Sequence, residues 1–139
     1  MNVKIEELLP HRTPFLFVDQ IISATHEEVI AVKVFDDANQ WLKNSFPNHQ
    51  YVPGTLLIES IVQSGGAAIR LLGIAKEIFV LSVIERAEFM NEVEYGKQLR
   101  YVIKNIKISE KLIKQSGIAY VDGQQVMQAT WMSVKAPTK

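Results

Sequence analysis

Pro53-Gly54-Thr55-Leu56-Leu57-Ile58-Glu59-Ser60-Ile61-Val62-Gln63-Ser64-Gly65-Gly66-Ala67-Ala68-Ile69-Arg70-Leu71-Leu72 is the stretch on which the fold turns. Apolar residues at 56, 57, 58, 61, 62, 67, 68, 69, 71, 72 and 74 cover most of the circumference of a helix. A helix that is apolar almost all round is a buried one. The pattern predicts a helix over 56–76, with Thr55 as its N-cap, because a threonine oxygen accepts from the orphan N–H groups of a first turn. Glu59, Gln63, Gly66 and Arg70 interrupt the apolar background at spacings of four, three and four, which puts them on one stripe.

On either side of this helix the patterning is that of strands. Residues 14–24 and 29–35 are apolar and β-branched, with Thr25-His26-Glu27-Glu28 as the polar turn between them. Beyond the helix, 77–92, 98–109, 112–121 and 124–135 alternate or carry β-branched runs. Tyr95-Gly96-Lys97 and Asp122-Gly123 supply turns, and Asp-Gly between two strand-like runs is a hairpin signal. Leu8-Leu9-Pro10 closes a short N-terminal helical turn, since proline disfavours helical geometry in the residue before it. Residues 36–52 show no steady period and read as a long loop, a kind of segment that often carries function. The order predicts an α+β fold, an antiparallel sheet curved around one buried helix, in a single domain over 1–139.

Composition narrows the function classes. Of 139 residues, 47% are hydrophobic and 22% charged, and fifteen basic side chains balance fifteen acidic ones. No overall field favours nucleic acid or an anionic membrane. The absence of cysteine excludes disulfides, thiolate nucleophiles and cysteine-based zinc sites. The histidines lack metal-ligand spacing, and no metal site is expected. Residues 51–69 are about long enough to span a bilayer, but Glu59, Gln63 and the Gly65-Gly66 pair fit a core helix better. The expectation is a soluble, cytoplasmic protein without membrane insertion.

Glu59 carries the chemical interest. Its place near a helix N-terminus favours the ionised form, while burial favours the neutral one, and such opposed pressures mark catalytic carboxylates. Equally open is a structural role, capping backbone N–H groups or pairing with a basic side chain. Each glycine of Gly65-Gly66 costs roughly 1 kcal/mol relative to alanine inside a helix, so close approach of another backbone or of a ligand is expected there. Gly54, just before the helix, offers an N–H to a carbonyl or anion, or serves an ordinary turn.

Two longer segments resemble a known family. Leu9-Pro10-His11-Arg12-Thr13-Pro14-Phe15-Leu16-Phe17-Val18-Asp19 is similar to the opening block of the 3-hydroxyacyl-(acyl-carrier-protein) dehydratases, L-P-H-R-x-P-F-L-x-V-D. Phe46-Pro47-Asn48-His49-Gln50-Tyr51-Val52-Pro53-Gly54, continuing through Glu59 to Gln63, resembles their second block, G-H-F-P-x-x-P-x-x-P-G-x-L-x-x-E-A-x-A-Q. The resemblance runs over nearly the whole chain and implies the hot-dog fold. It also implies loss of water from a 3-hydroxyacyl thioester on acyl carrier protein, without metal or organic cofactor. In such enzymes a histidine removes the proton beside the carbonyl, a helix carboxylate assists departure of the hydroxyl, and a backbone N–H polarises the carbonyl. The two side chains come from different subunits of a dimer, and a trimer of dimers is also open. Carried over by position, the carboxylate is Glu59, the backbone donor Gly54 and the supporting glutamine Gln63, with Phe46 and Pro53 beside the substrate.

The histidine does not carry over. Its position, immediately before Phe-Pro and fourteen residues before Glu59, holds Ser45, with Asn44 and Gln50 as further departures. A serine hydroxyl is no general base near neutral pH unless another base activates it, and general base catalysis is worth about 10² to 10⁴ in rate. His49 is the nearest substitute in sequence, although a loop-stabilising role suits it better. His11 reads as structural, bonding backbone ahead of the first strand, and His26 as solvated. Arg70, Lys76, Arg86 and Arg100 offer a basic surface for a phosphopantetheine arm or an acidic carrier protein. Three functions compete: a divergent dehydratase acting on acyl carrier protein or coenzyme A thioesters, a non-catalytic acyl-binding member or inactive subunit partner, and a hot-dog thioesterase using Glu59.

Overall fold

The computed structural model describes residues 3–36, 40–48 and 50–136. Six strands among them form one antiparallel sheet: β1 (Gln20–Ala24), β2 (Glu28–Val34), β3 (Phe79–Phe89), β4 (Gln98–Ile108), β5 (Leu112–Val121) and β6 (Gln124–Lys135), in the spatial order β1-β2-β4-β5-β6-β3. The helices are α1 (Ile5–Leu8), α2 (Gln40–Ser45) and α3 (Gly54–Leu71). The sheet wraps α3, which touches all six strands. This is the expected α+β arrangement. The β5–β6 hairpin turns through Asp122 and Gly123, both at positive φ (51° and 79°), as a two-residue turn between right-twisted strands requires.

Alternation on β5 sends Ile113, Gln115 and Ala119 inward to meet the helix. Gly117 admits the helix, because a Cβ there would lie 2.7 Å from Ile61 Cδ1. The core gathers Leu57, Ile61, Ala67 and Ala68 of α3 with Leu99, Tyr101, Ile103, Met127 and Trp131 of the sheet.

Four expectations need correction. The central helix stops at Leu71, not 76: Gly73 takes φ 72°, its N–H donates to Arg70 O (3.0 Å), and Ile74 N–H donates to Ile69 O (3.2 Å). That pair of bonds closes the last turn, so the apolar run outlasts the helix. Thr55 is not the N-cap. Pro53 holds that position without a side-chain cap bond, its carbonyl accepting from Leu56 and Leu57. The expected 14–24 strand begins only at Gln20, because Phe17 commits its backbone N–H and C=O to side chains of α3. The loop 36–52 contains α2, too short for an amphipathic period to register.

One edge of the sheet is unusual. β3 is long, borders only β6, and leaves Val80, Leu81, Val83, Ile84 and Phe89 between 39% and 50% exposed. A long apolar edge strand invites pairing with another strand.

Candidate active site

The polar stripe of α3 is real and faces a cavity. Glu59, Gln63, Gly66 and Arg70 line a space of about 240 Å³ together with Leu8, Leu9, Pro10 and His11, and Glu77 and Ile78 with Phe79, Val80 and Leu81 at the start of β3 close it. The wall is mostly apolar, so the few polar groups on it are conspicuous.

Gln63 organises them. Its Nε2 donates to Glu59 Oε2 (2.9 Å) and to Phe15 O (3.0 Å), while its Oε1 accepts from Phe17 N–H (2.8 Å). One amide thus orients the carboxylate and pins the segment after α1 to the central helix. Ser60, on the neighbouring buried face, donates to Phe17 O (2.7 Å) and accepts from Tyr101 OH (2.6 Å). Burial pushes the Tyr101 phenol well above its ordinary value; the bond to Ser60 opposes this and the Asp19 charge adds to it. It is a neutral donor that fixes the helix against β4.

His11 departs from one expectation: its imidazole makes no hydrogen bond to backbone among the described residues. Nε2 lies 3.9 Å from Glu59 Oε2, the two side chains being 31% and 28% exposed, and Nδ1 is buried without a hydrogen-bond partner among the described residues. Arg12 shapes this corner by donating from one guanidinium nitrogen to Leu9 O (2.8 Å) and His11 O (2.7 Å). Nothing in local spacing reveals a contact across 48 residues. The available hint was a titratable ring directly after the apolar Leu8-Leu9-Pro10.

The other expected site residues lie elsewhere. Ser45 ends α2, exposed, its Oγ donating to Trp41 O (2.7 Å), and it does not line the cavity. Phe46 follows it, also exposed, with its N–H on Leu42 O. Pro53 and Gly54 start α3, and a Cβ on Gly54 would meet Phe89 Cε1 at 2.8 Å, so only glycine leaves that ring in place. His49 lies outside the described residues. The glycine pair divides its roles. A Cβ on Gly65 would fall 2.3 Å from Gln115 Oε1, so the close approach comes from a side-chain amide and not from backbone, whereas Gly66 faces the cavity. Of the four basic residues, Arg70 lines the cavity and Arg86 pairs with Glu88, while Lys76 and Arg100 are exposed. No helix of the described residues is long and apolar enough to cross a membrane.

Comparison with known proteins agrees with this architecture. A family model, the FabA-like domain, matches residues 9–130. The 3-hydroxyacyl-[acyl-carrier-protein] dehydratase FabZ of Campylobacter fetus subsp. fetus is 34% identical over 135 residues, covering 91% of each chain. The FabZ of Coxiella burnetii is 33% identical, covering 97% of this chain and 99% of that one. Among solved structures, the dehydratase heterocomplex ApeI:P from Xenorhabdus doucetiae superposes with a TM-score of 0.84 at 15% identity, covering 99% of this chain and 94% of that one. A hypothetical thioesterase from Streptococcus pneumoniae, solved with coenzyme A, gives 0.66 at 12% identity, covering 86% and 87%. At such low identities these two speak for the hot-dog fold alone.

Proposed function

This chain belongs to the FabA-like family, and from that membership we propose that it is a divergent, slow 3-hydroxyacyl-thioester dehydratase of cytoplasmic acyl metabolism. The observation that carries the reading is the hydrogen-bonded pair Glu59–Gln63 set into the wall of an apolar cavity. A carboxylic group oriented by an amide and facing an apolar space suits protonation of a departing hydroxyl. Gly54, in the first turn of α3, offers its N–H and the positive end of the helix to the thioester carbonyl, with Pro53 and Phe46 beside it. The substrate is an acyl thioester of acyl carrier protein or coenzyme A.

Ser45 is the reason for slowness. It stands where the resembled motif has histidine, and loss of a general base removes about 10² to 10⁴ in rate. The working unit is a dimer joined at the β3 edge, whose exposed apolar side chains favour a partner strand. Incubation with a 3-hydroxyacyl thioester of acyl carrier protein, followed by absorbance and mass, tests the reading. Slow enoyl formation by native protein, lost in Glu59→Gln and raised in Ser45→His, is expected. Binding with no turnover in any of the three would replace catalysis by acyl binding.

A second reading has its own support. The motif's histidine is missing while the carboxylate side of the site stays intact, which suits a subunit that works beside a histidine-bearing partner; ApeI:P, similar in fold, is itself a dehydratase heterocomplex. Co-expression with such a partner, followed by native mass spectrometry, separates a mixed dimer from a homodimer.

A further inference from the structure

The cavity holds a titratable pair of which the reading above uses only one member: the Glu59 carboxylate has a role, and the His11 imidazole, Nε2 to Oε2 3.9 Å from it, has none. A histidine retained for packing commonly bonds backbone through a ring nitrogen. The His11 side chain is 31% exposed, and its ring makes no hydrogen bond to backbone among the described residues. Nδ1 is buried and unpartnered among the described residues, the ring leans on Phe15 with centroids 6.3 Å apart, and the side chain lines the same apolar space as Glu59. Leaving such an atom unbonded is a cost that a structural role would have removed. The surrounding contacts hold the pair in place. Arg12 fixes the carbonyls of Leu9 and His11, and Gln63 holds Glu59 on one side and Phe15 on the other.

We propose that His11 is the catalytic base of this site, working with Glu59 as a pair that shares one proton; the assignment rests on the dehydratase reading. In the reactive arrangement His11 Nε2 is unprotonated and Glu59 carries the proton. Nε2 takes the proton from C2 of the 3-hydroxyacyl thioester, and the C2–H electron pair becomes the C2=C3 bond. The C3–O bond breaks with its electrons on oxygen, which takes the Glu59 proton and leaves as water. His11 is then protonated and Glu59 ionised. Return of that proton from Nε2 to Oε2, 3.9 Å away, by way of one water that accepts from the imidazole and donates to the carboxylate, restores the starting state and regenerates the water. Ser45, outside the cavity wall, takes no proton in this cycle; His11 supplies the residual turnover of a site that lacks the motif's own histidine.

The test follows deuterium entry at C2 of a 3-hydroxyacyl pantetheine thioester in D₂O, which registers each dehydration–rehydration cycle even when little enoyl product accumulates. Binding of a saturated acyl pantetheine is measured in parallel. Native protein should incorporate deuterium, and His11→Gln should lose about 10² to 10⁴ of the rate while still binding. His11→Ala should regain exchange when imidazole is added, an outcome that a packing role does not produce. Exchange in His11→Gln within threefold of native, or no rescue by imidazole in a folded His11→Ala protein, overturns the assignment. Absence of exchange in a native protein that binds the saturated thioester also overturns it, leaving acyl binding intact. Absence of binding removes the functional reading itself.

Discussion

Gln63 and Glu59, one helical turn apart, are joined by a 2.9 Å hydrogen bond, and the same amide holds Phe15 O and Phe17 N–H. The polar apparatus of the cavity and the anchoring of the chain before β1 are therefore one structure. Gln63→Met keeps the volume and deletes the bonds, stranding the Phe17 N–H in the core. Each unsatisfied buried group costs about 1 to 3 kcal/mol, so a loss of roughly 2 to 4 kcal/mol is expected in urea unfolding, with a raised KM for any thioester turned over.

The glycine pair separates packing from cavity shape. In Gly65→Ala the new Cβ meets Gln115 Oε1, which is held by Trp131 Nε1 (3.2 Å) beneath the helix. Overpacking of this kind costs about 1 to 3 kcal/mol and outweighs the roughly 1 kcal/mol gained in helix propensity. Gly66→Ala finds Leu9 Cδ2 at 4.0 Å, an ordinary contact. It should raise the melting temperature while weakening acyl-thioester binding, since the methyl enters the cavity. Thermal unfolding of both variants checks the opposite signs.

Tyr101 predicts an alkaline slope. Its folded-state value lies above the ordinary 10.0, so the unfolded chain releases the phenolic proton first and the folded state keeps it. Its contribution is fully present below pH 10 and is lost as pH climbs beyond, by up to about 1.4 kcal/mol per pH unit. Tyr101→Phe should flatten this decline relative to native protein, at about 1 kcal/mol of neutral-pH stability for the bond to Ser60. Urea midpoints measured between pH 8 and about 11 compare the two slopes.

A charge on the open edge should report on assembly. Ile84 is 45% exposed on β3, and Ile84→Lys places an ammonium where a partner strand would lie. Sedimentation should find monomer in the variant and dimer in native protein. A native monomer at micromolar concentration would count against dimerisation through β3.

Much of this molecule was legible in its residues. The strands 112–121 and 124–135 fall as expected because Asp122-Gly123 fixes both their ends, and the α3 stripe faces a cavity because helical spacing is a local property. What escaped reading depended on distant partners. The late start of β1 reflects Phe17 bonding to a helix more than forty residues away, and the end of α3 hung on one glycine inside an unbroken apolar pattern. His11 sat in a quoted motif, yet its neighbour Glu59 is a matter of tertiary approach. The motif located the residue without revealing its company.

The strand that edges the sheet also walls the cavity, since Phe79, Val80 and Leu81 belong to both. In the proposed dimer, association through that edge and acyl occupancy of the pocket would be thermodynamically linked, and the linkage reciprocal. A bound acyl chain that firms up β3 tightens self-association by the same factor as self-association tightens the chain's binding. Affinity for an acyl group would accordingly vary with protein concentration, and a titration run at one concentration would measure two equilibria at once.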